Sequence, residues 1–289
     1  MSSPPWAVTD PSAAALLNEA ARILQQSSPT ARLDAEVLLT AASGLEPIAV
    51  LKDPDQTVRP DVAEHFHRLL KRRTAGEPIA VILKKKEFWS MLLDLNEATL
   101  VPRPETEILV EAVLSETAND QPIKILDLGT GSGAIALALA IERPQAKISA
   151  TDISAEALDQ ARKNAKRHGL SVHFALSDCF VSVQDTPFDV LVSNPPYVKD
   201  TDPALEDSAA KYDPPQALFA GADGLDCIRR ICKDAPDYLV PGGLIALEHG
   251  FDQKDAVASL LSEAGFSAIK SIEDYAGLPR VTTARRAPA

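Results

Sequence analysis

The spacing of apolar residues along the chain changes period near residue 76, and again near residue 122. From about residue 11 to residue 75 apolar positions recur every three to four residues, the helical period. Leu16, Leu17, Ala20, Ile23 and Leu24 share one face, behind Ser12 as a cap. Leu33, Val37 and Leu38 mark a second stripe that begins near Thr30 and stops at Gly44. Val62, Phe66, Leu69 and Leu70 mark a third, between about Pro60 and Arg73. Gly76-Glu77-Pro78 punctuates the end of this region. Two short strand-like runs, Ile79 to Leu83 and Phe88 to Leu95, then flank Lys84-Lys85-Lys86 and read as a hairpin. Pro104 suits the first turn of a helix bearing Ile108, Leu109, Ala112 and Val113, whose positive end Glu105 and Glu107 favour.

From residue 122 the pattern alternates strand and helix. Strands are expected at Ile123 to Leu128, Lys147 to Asp152, Val172 to Leu176, Phe188 to Ser193, Gly243 to Glu248, Ser267 to Ile272 and Arg280 to Arg285. Helices are expected at Ala134 to Glu142, Ser154 to His168, about 224 to 239, and Gln253 to Ala264. This alternation predicts an α/β fold with a doubly wound, seven-stranded, mainly parallel sheet. Three regions follow: a helical domain over 1–75, a hairpin linker over 76–101 and the sheet domain over 102–289. Lys199 to Leu218, rich in Pro and Asp, reads as a long loop, of a length that is usually either functional or disordered.

Composition narrows the partners. The chain has 289 residues, 45% of them apolar and 24% charged, the balance of a globular protein. Its net charge is −12, which disfavours nonspecific nucleic-acid binding. The first 75 residues hold 8 basic and 9 acidic residues, the remainder 21 and 32, so the helical region has its own charge character. Arg68, Lys71, Arg72 and Arg73 form the best basic patch, and a solvated helix end is its plainer reading. Three cysteines, Cys179, Cys227 and Cys232, without a close CxxC pair, point to small buried thiols rather than a disulfide framework or zinc site. The five histidines are scattered, so no metal is expected. No apolar run approaches the roughly 18 residues of a membrane span, and Met1 to Asp10 lacks the look of a signal peptide. A cytoplasmic protein is expected.

The candidate chemistry lies after the strands. Gly129-Thr130-Gly131-Ser132-Gly133 follows the first strand, where glycines allow a tight turn and close approach to a ligand. The dinucleotide fingerprint needs a third glycine at position 134, which is Ala134. With Asp127 ahead of it, the GxGxG spacing favours S-adenosylmethionine, which has no pyrophosphate to hold. Asp152 ends the second strand, 19 residues beyond Gly133, where an acid can accept both ribose hydroxyls. After the third strand, Asp178 could accept from an adenine amino group and Phe180 could stack on the base; a helix cap and a core aromatic are the plainer readings. The fourth strand runs into Asn194-Pro195-Pro196-Tyr197. Two prolines stiffen that loop. It presents an amide, carbonyls and a ring, a set suited to a small planar amide or amine.

Asp127 to Gly133 followed by Asn194 to Tyr197 resembles the class I amino-methyltransferases, a family broad enough to include adenine-N6 enzymes. Gly76 to Ala80, Glu87-Phe88-Trp89, Val101 to Glu107, Glu248-His249-Gly250, Arg280-Val281-Thr282 and the helical Ala31 to Leu39 resemble the bacterial release factor glutamine methyltransferases, in order and over nearly the whole chain. Val81 and Lys84 depart from that family, which often has Tyr and Gly there. The resemblance implies methyl transfer from S-adenosylmethionine, leaving S-adenosylhomocysteine, to the side-chain N5 of a Gly-Gly-Gln glutamine in class 1 peptide-chain release factors. It implies Gly129 to Gly133, Asp152, Asp178, Phe180 and Asn194 as cofactor-binding residues. Asn194, Pro195 and Tyr197 are implied as catalytic; Asn194 to Tyr197 and Phe88, with Thr106 and Glu107, border the substrate. A monomer is expected, without membrane or direct nucleic-acid contact. An adenine-N6 methyltransferase acting on DNA or RNA is the competing reading; a non-enzymatic binding module is a further one.

Overall fold

The structure, a computed structural model, describes residues 11–45, 52–118, 121–184, 187–202 and 209–288. Met1 to Asp10, and the middle of the loop over 199–218, lie outside the described residues. The chain divides into two units, Met1–Lys84 and Lys85–Ala289.

The first unit holds helices α1 (Ala13–Leu24), α2 (Ala31–Ser43), α3 (Pro60–Thr74) and a short α4 (Ile79–Leu83). Ser12 caps α1 by accepting from the Ala15 N–H, and Gly44, at a φ of 68°, ends α2. Leu16, Leu17, Leu24, Leu38, Leu39 and Phe66 form the core. Leu33, expected on the buried stripe of α2, is instead 56% exposed. Asp34 takes the inward position, because it accepts from Ser28 Oγ at 2.8 Å, Thr30 Oγ1 at 3.1 Å and Arg73 Nε at 2.7 Å. A charge is tolerated inside when its partners are inside too. Three of the four basic-patch residues are likewise paired: Arg68 with Glu64, Arg72 with Glu77 and Arg73 with Asp34.

Ile79–Leu83 is helix, where the sequence predicted strand, and Lys84 ends it at a φ of 53°. The hairpin pairs β1 (Lys85–Phe88) with β2 (Met91–Asp94) around Trp89 and Ser90. Those two residues have φ of 50° and 57°, the left-handed turn whose twist matches a hairpin. Trp-Ser lacks the Asn-Gly signature of such a turn, so the three lysines drew the prediction instead. The hairpin belongs to the second unit and is tied into it. Trp89 donates from its backbone N–H to Glu107 Oε1 and from Nε1 to Glu142 Oε1, at 2.8 and 2.9 Å.

The second unit continues with α5 (Thr106–Glu116), β3 (Lys124–Leu128), α6 (Ala134–Glu142), β4 (Lys147–Asp152), α7 (Ala155–His168), β5 (His173–Leu176) and β6 (Phe188–Ser193). Then come α8 (Asp226–Asp234), β7 (Leu239–Glu248), α9 (Lys254–Glu263), β8 (Phe266–Glu273) and β9 (Pro279–Arg286). The strands form one seven-stranded sheet in the order β5-β4-β3-β6-β7-β9-β8. Only β9 runs against its neighbours. Alternate strand residues point to opposite faces. Ile125, Val190, Val192, Leu244 and Ala246 pack with α5, α6 and the hairpin. Leu126, Leu191, Ile245 and Leu247 pack with α8 and α9. Helices pack on both faces, as a parallel sheet requires. No helix among the described residues is long and apolar enough to cross a membrane.

Candidate active site

The chain runs β3-β4-β5 to one side and then returns to place β6 on the other side of β3, making a switch point where ligands bind in such sheets. Leu128, the last residue of β3, pairs with Ser193, the last of β6. Ser193 Oγ also donates to the Leu128 carbonyl at 2.7 Å. The glycine loop and the Asn194 loop therefore leave the sheet side by side. Between them opens a cavity of about 490 Å³, whose walls include Gly129, Gly131, Asp152, Asp178, Asn194, Pro195 and Pro196. Seven of the residues expected at the site thus meet in one place.

The glycine loop is held from below. The N–H groups of Gly129 and Thr130 both donate to the Thr151 carbonyl at 2.9 Å. Gly131 N–H donates to Asp152 Oδ2 at 2.8 Å, and Ser154 N–H to Asp152 Oδ1 at 2.9 Å. Asp152 therefore shapes the loop as well as facing the cavity; burial raises its pKa, and those two N–H groups oppose the rise. A Cβ added to Gly129 or Gly131 would meet nothing within 4 Å, so the backbone is bare towards a ligand. Gly133 differs: at a φ of 88° it starts α6, and a Cβ would press on Ala161 and Leu137 at 3.3 Å. Thr130 and Ser132 are buried. Ser132 presents its carbonyl to Asn164 Nδ2 at 2.9 Å, while the same Asn164 grips the Asp94 backbone of the hairpin from both ends at 2.9 Å. Beneath the loop, Asp127 is wholly buried; Oδ2 accepts from Thr130 Oγ1 at 2.6 Å and Oδ1 has no partner. Burial pushes its pKa up to about 7.

Two of the expected aromatic residues lie off the cavity wall. Phe180 is 4% exposed and stacks one face on Tyr238, ring centres 4.3 Å apart. Phe88 is 1% exposed in the core under the hairpin, away from the cavity wall. Exposed apolar side chains at the cavity are instead Ile153, 60% exposed, and Phe219, 37% exposed. Asp178 lines the cavity but shares Oδ1 with Arg230 Nη1 at 2.6 Å. Cys179 and Cys227 also border the cavity, where burial pushes their pKa up to about 12 and 11, so both stay thiols at neutral pH. Only Cys232 is fully buried.

Behind the Asn194 loop lies a polar cluster that spacing alone did not assemble. Asn194 Nδ2 donates to Thr106 Oγ1 at 3.2 Å. Tyr197 does not line the cavity; its hydroxyl donates to Glu248 Oε1 at 3.2 Å. Glu248 is 1% exposed, and burial pushes its pKa up to about 7 against the pull of Thr106, Arg280 and Tyr197. Gln253 Nε2 donates to the Tyr197 carbonyl at 3.0 Å, while its Oε1 accepts from Gly250 N–H at 2.9 Å. A Cβ on Gly224 would stand 2.3 Å from that same Tyr197 carbonyl, so the following loop packs directly on this one. Asp213, a buried residue of the 199–218 loop, accepts from the Val101 N–H at 3.0 Å and pairs with Arg103. Glu107 holds the hairpin rather than the cavity. A charged residue closing an otherwise apolar strand, as in Leu247-Glu248, is the trace of this cluster in the sequence.

Known proteins resemble this chain over most of its length. The family described as Methyltransferase small domain matches residues 104–211, and that described as PrmC N-terminal domain matches residues 15–83. A release factor glutamine methyltransferase from Xylella fastidiosa (strain 9a5c) is 42% identical over 276 residues, 95% of this chain and 98% of that protein. One from Escherichia coli (strain K12) is 40% identical over 261 residues, 90% of this chain and 94% of its own. Among solved structures, a methyltransferase from Pyrococcus furiosus aligns with a TM-score of 0.53 at 19% identity, over 78% of this chain and 99% of that one. The Thermus thermophilus 16S rRNA N2 G1207 methyltransferase, solved with AdoMet and guanosine, gives 0.53 at 19% identity, over 70% and 49%. At such identity the structural likeness speaks for the fold.

Proposed function

The chain belongs to the release factor glutamine methyltransferase family, and on that footing we propose that it methylates the side-chain N5 of the Gly-Gly-Gln glutamine in class 1 peptide-chain release factors. The observation that carries this is the pairing of Leu128 with Ser193, which opens the glycine loop and the Asn194 loop onto one cavity.

The residues fit S-adenosylmethionine as the donor. Gly129 and Gly131 offer bare backbone, Asp152 an acidic edge and Ile153 an apolar face. The volume is that of a small-molecule site. When bound, this cofactor supplies a methyl group already activated on a sulfonium, so the protein need not form a covalent intermediate. The protein must instead improve a poor nucleophile. An amide nitrogen shares its lone pair with the carbonyl, and methylation gives it positive charge before a proton leaves. Asn194 Oδ1 and the Pro195 carbonyl accept its two N–H bonds. They aim the nitrogen at the cavity and lie where the positive charge grows. The stiff prolines hold both acceptors without cost at the moment of reaction. The enzyme works as a monomer in the cytoplasm, without direct nucleic-acid contact.

The test offers labelled cofactor with intact release factor, a Gly-Gly-Gln peptide or DNA. Label is expected on the glutamine of the first two. Label on DNA alone would replace this reading with the adenine one, and label on nothing would leave a binding module. Asn194→Ala should lower kcat about a hundredfold or more while cofactor binding, measured by calorimetry, stays close to that of the unaltered chain.

A further inference from the structure

Resting on the reading that Asn194 receives the glutamine amide, we propose that Phe219 is the substrate-binding residue against which the two methylenes of that glutamine lie. The glutamine follows two glycines, which have no side chains to bury. Its own stem is therefore the apolar surface that the cavity has to receive. The ring of the Asn194 loop itself faces elsewhere: Tyr197 donates to Glu248 and does not line the cavity. Among the described residues that do line it, Phe219 alone is aromatic.

Hydrogen bonds place Phe219 on the acceptor side of the cavity. Val198, the residue after Tyr197, forms a parallel bridge with Phe219. Val198 N–H donates to the Leu218 carbonyl at 2.9 Å, and Ala220 N–H donates to the Val198 carbonyl at 2.9 Å. One step on, Asp200 N–H donates to the Gly221 carbonyl at 3.0 Å, and Gly221 N–H returns to Asp200 Oδ1 at 3.1 Å. The segment from Leu218 to Gly221 is thus laid along the continuation of the Asn194 loop. Leu218 and Ala220 are buried while Phe219 between them is exposed, the alternation of an extended strand, and the ring side meets the cavity. The other exposed apolar side chain there, Ile153, follows Asp152 at the tip of β4, beside the glycine loop. One exposed apolar residue therefore serves each side, and the one bonded to the acceptor loop is Phe219.

The backbone of Phe219 is fixed without help from a ligand. Its N–H donates to the Pro215 carbonyl at 3.0 Å, just beyond the short turn of Pro215–Ala217. Asp213, two residues before Pro215, accepts from the Val101 N–H at 3.0 Å and anchors the start of the segment. A phenyl ring has only two side-chain torsions to settle, so it offers contact area at a small entropic cost. Covering this ring with the glutamine stem removes apolar surface of both from water. Asn194 and Pro195 then hold the polar end of the glutamine, and Phe219 its apolar part.

Two variants of the full-length chain test this, each with a Gly-Gly-Gln peptide and with intact release factor. For each, KM, kcat, Tm and cofactor affinity by calorimetry are measured. Phe219→Ala removes the ring, and Phe219→Leu keeps an apolar side chain. Two methylenes left against water correspond to about a tenfold loss of binding, so Phe219→Ala should raise KM about tenfold for peptide and factor alike. Cofactor affinity and Tm should hold. Phe219→Leu should keep KM within about threefold of the unaltered chain. A rise of less than about threefold in Phe219→Ala would overturn the proposal, as would a Phe219→Leu enzyme no better than Phe219→Ala. So would a loss confined to intact factor, which marks a docking contact outside the cavity. A fall in cofactor affinity as large as the rise in KM would overturn it too, by giving the ring to the cofactor. If the unaltered chain labels neither peptide nor factor, the functional reading falls first and takes this inference with it. If it labels both and Phe219→Ala keeps a normal KM, this inference alone falls.

Discussion

Asp127 shows how much a single side chain can hold in reserve. One carboxylate oxygen is satisfied by Thr130 and the other has no partner, and burial lifts its pKa to about 7 from an ordinary value near 3.8. A carboxyl whose pKa is raised by folding adds stability that is whole at pH below about 4. As the pH rises the unfolded chain gives up its proton first, and the contribution is gone above about 7. Asp127→Asn removes that slope. Melting curves from pH 5 to 8 should show the unaltered protein losing ground to the variant by a few kcal/mol over that window. The residues that line the cavity were legible in the sequence where the backbone dictates them: Gly129, Gly131, Asp152, Asn194 and Pro195 follow strand ends at fixed spacings. The aromatic residues were not. Phe180 and Phe88 could each have faced a ligand or the core, and only the neighbours Tyr238 and the hairpin, distant in sequence, decide for the core.

Among the elements, strands and helices with a clear period were readable almost to the residue. Ala134–Glu142, Lys147–Asp152 and Phe188–Ser193 form as expected. The two failures have different causes. Ile79–Leu83 has β-prone residues but lies between Pro78 and the left-handed Lys84, room for one helical turn only. The hairpin turn at Trp89-Ser90 is held open by bonds from Trp89 to Glu107 and Glu142, distant partners that no local pattern reveals. A left-handed backbone costs a residue with a side chain about 1–2 kcal/mol. Ser90→Gly should therefore stabilise the protein by about 1 kcal/mol, seen as a rise in Tm of about 2–4 °C. A drop in Tm would show that the Ser90 side chain matters to the turn.

For the molecule as a whole, each of the two units buries a core of its own. The helical unit buries Phe66 and its neighbours, the sheet unit buries its own two faces, and every residue at the cavity belongs to the second. Residues 85–289 alone should bind cofactor like the full chain and methylate a Gly-Gly-Gln peptide at a similar rate. On intact release factor their kcat/KM should fall about tenfold or more, the equivalent of roughly 1.4 kcal/mol of lost recognition. Equal kcat/KM for the two forms would remove substrate recognition from the helical unit. The pairing of Leu128 with Ser193 has a further consequence, for redesign. On the proposed reading, the donor and acceptor loops leave two neighbouring strands about 4.8 Å apart, paired by the hydrogen-bond ladder. A register slip of one residue would turn every β6 side chain to the wrong face. An engineer seeking a new methyl acceptor should therefore treat β3 and β6 as a fixed jig. Variation belongs in the tooling clamped to it, such as Leu100 and the segment around Phe219, which form part of the cavity wall.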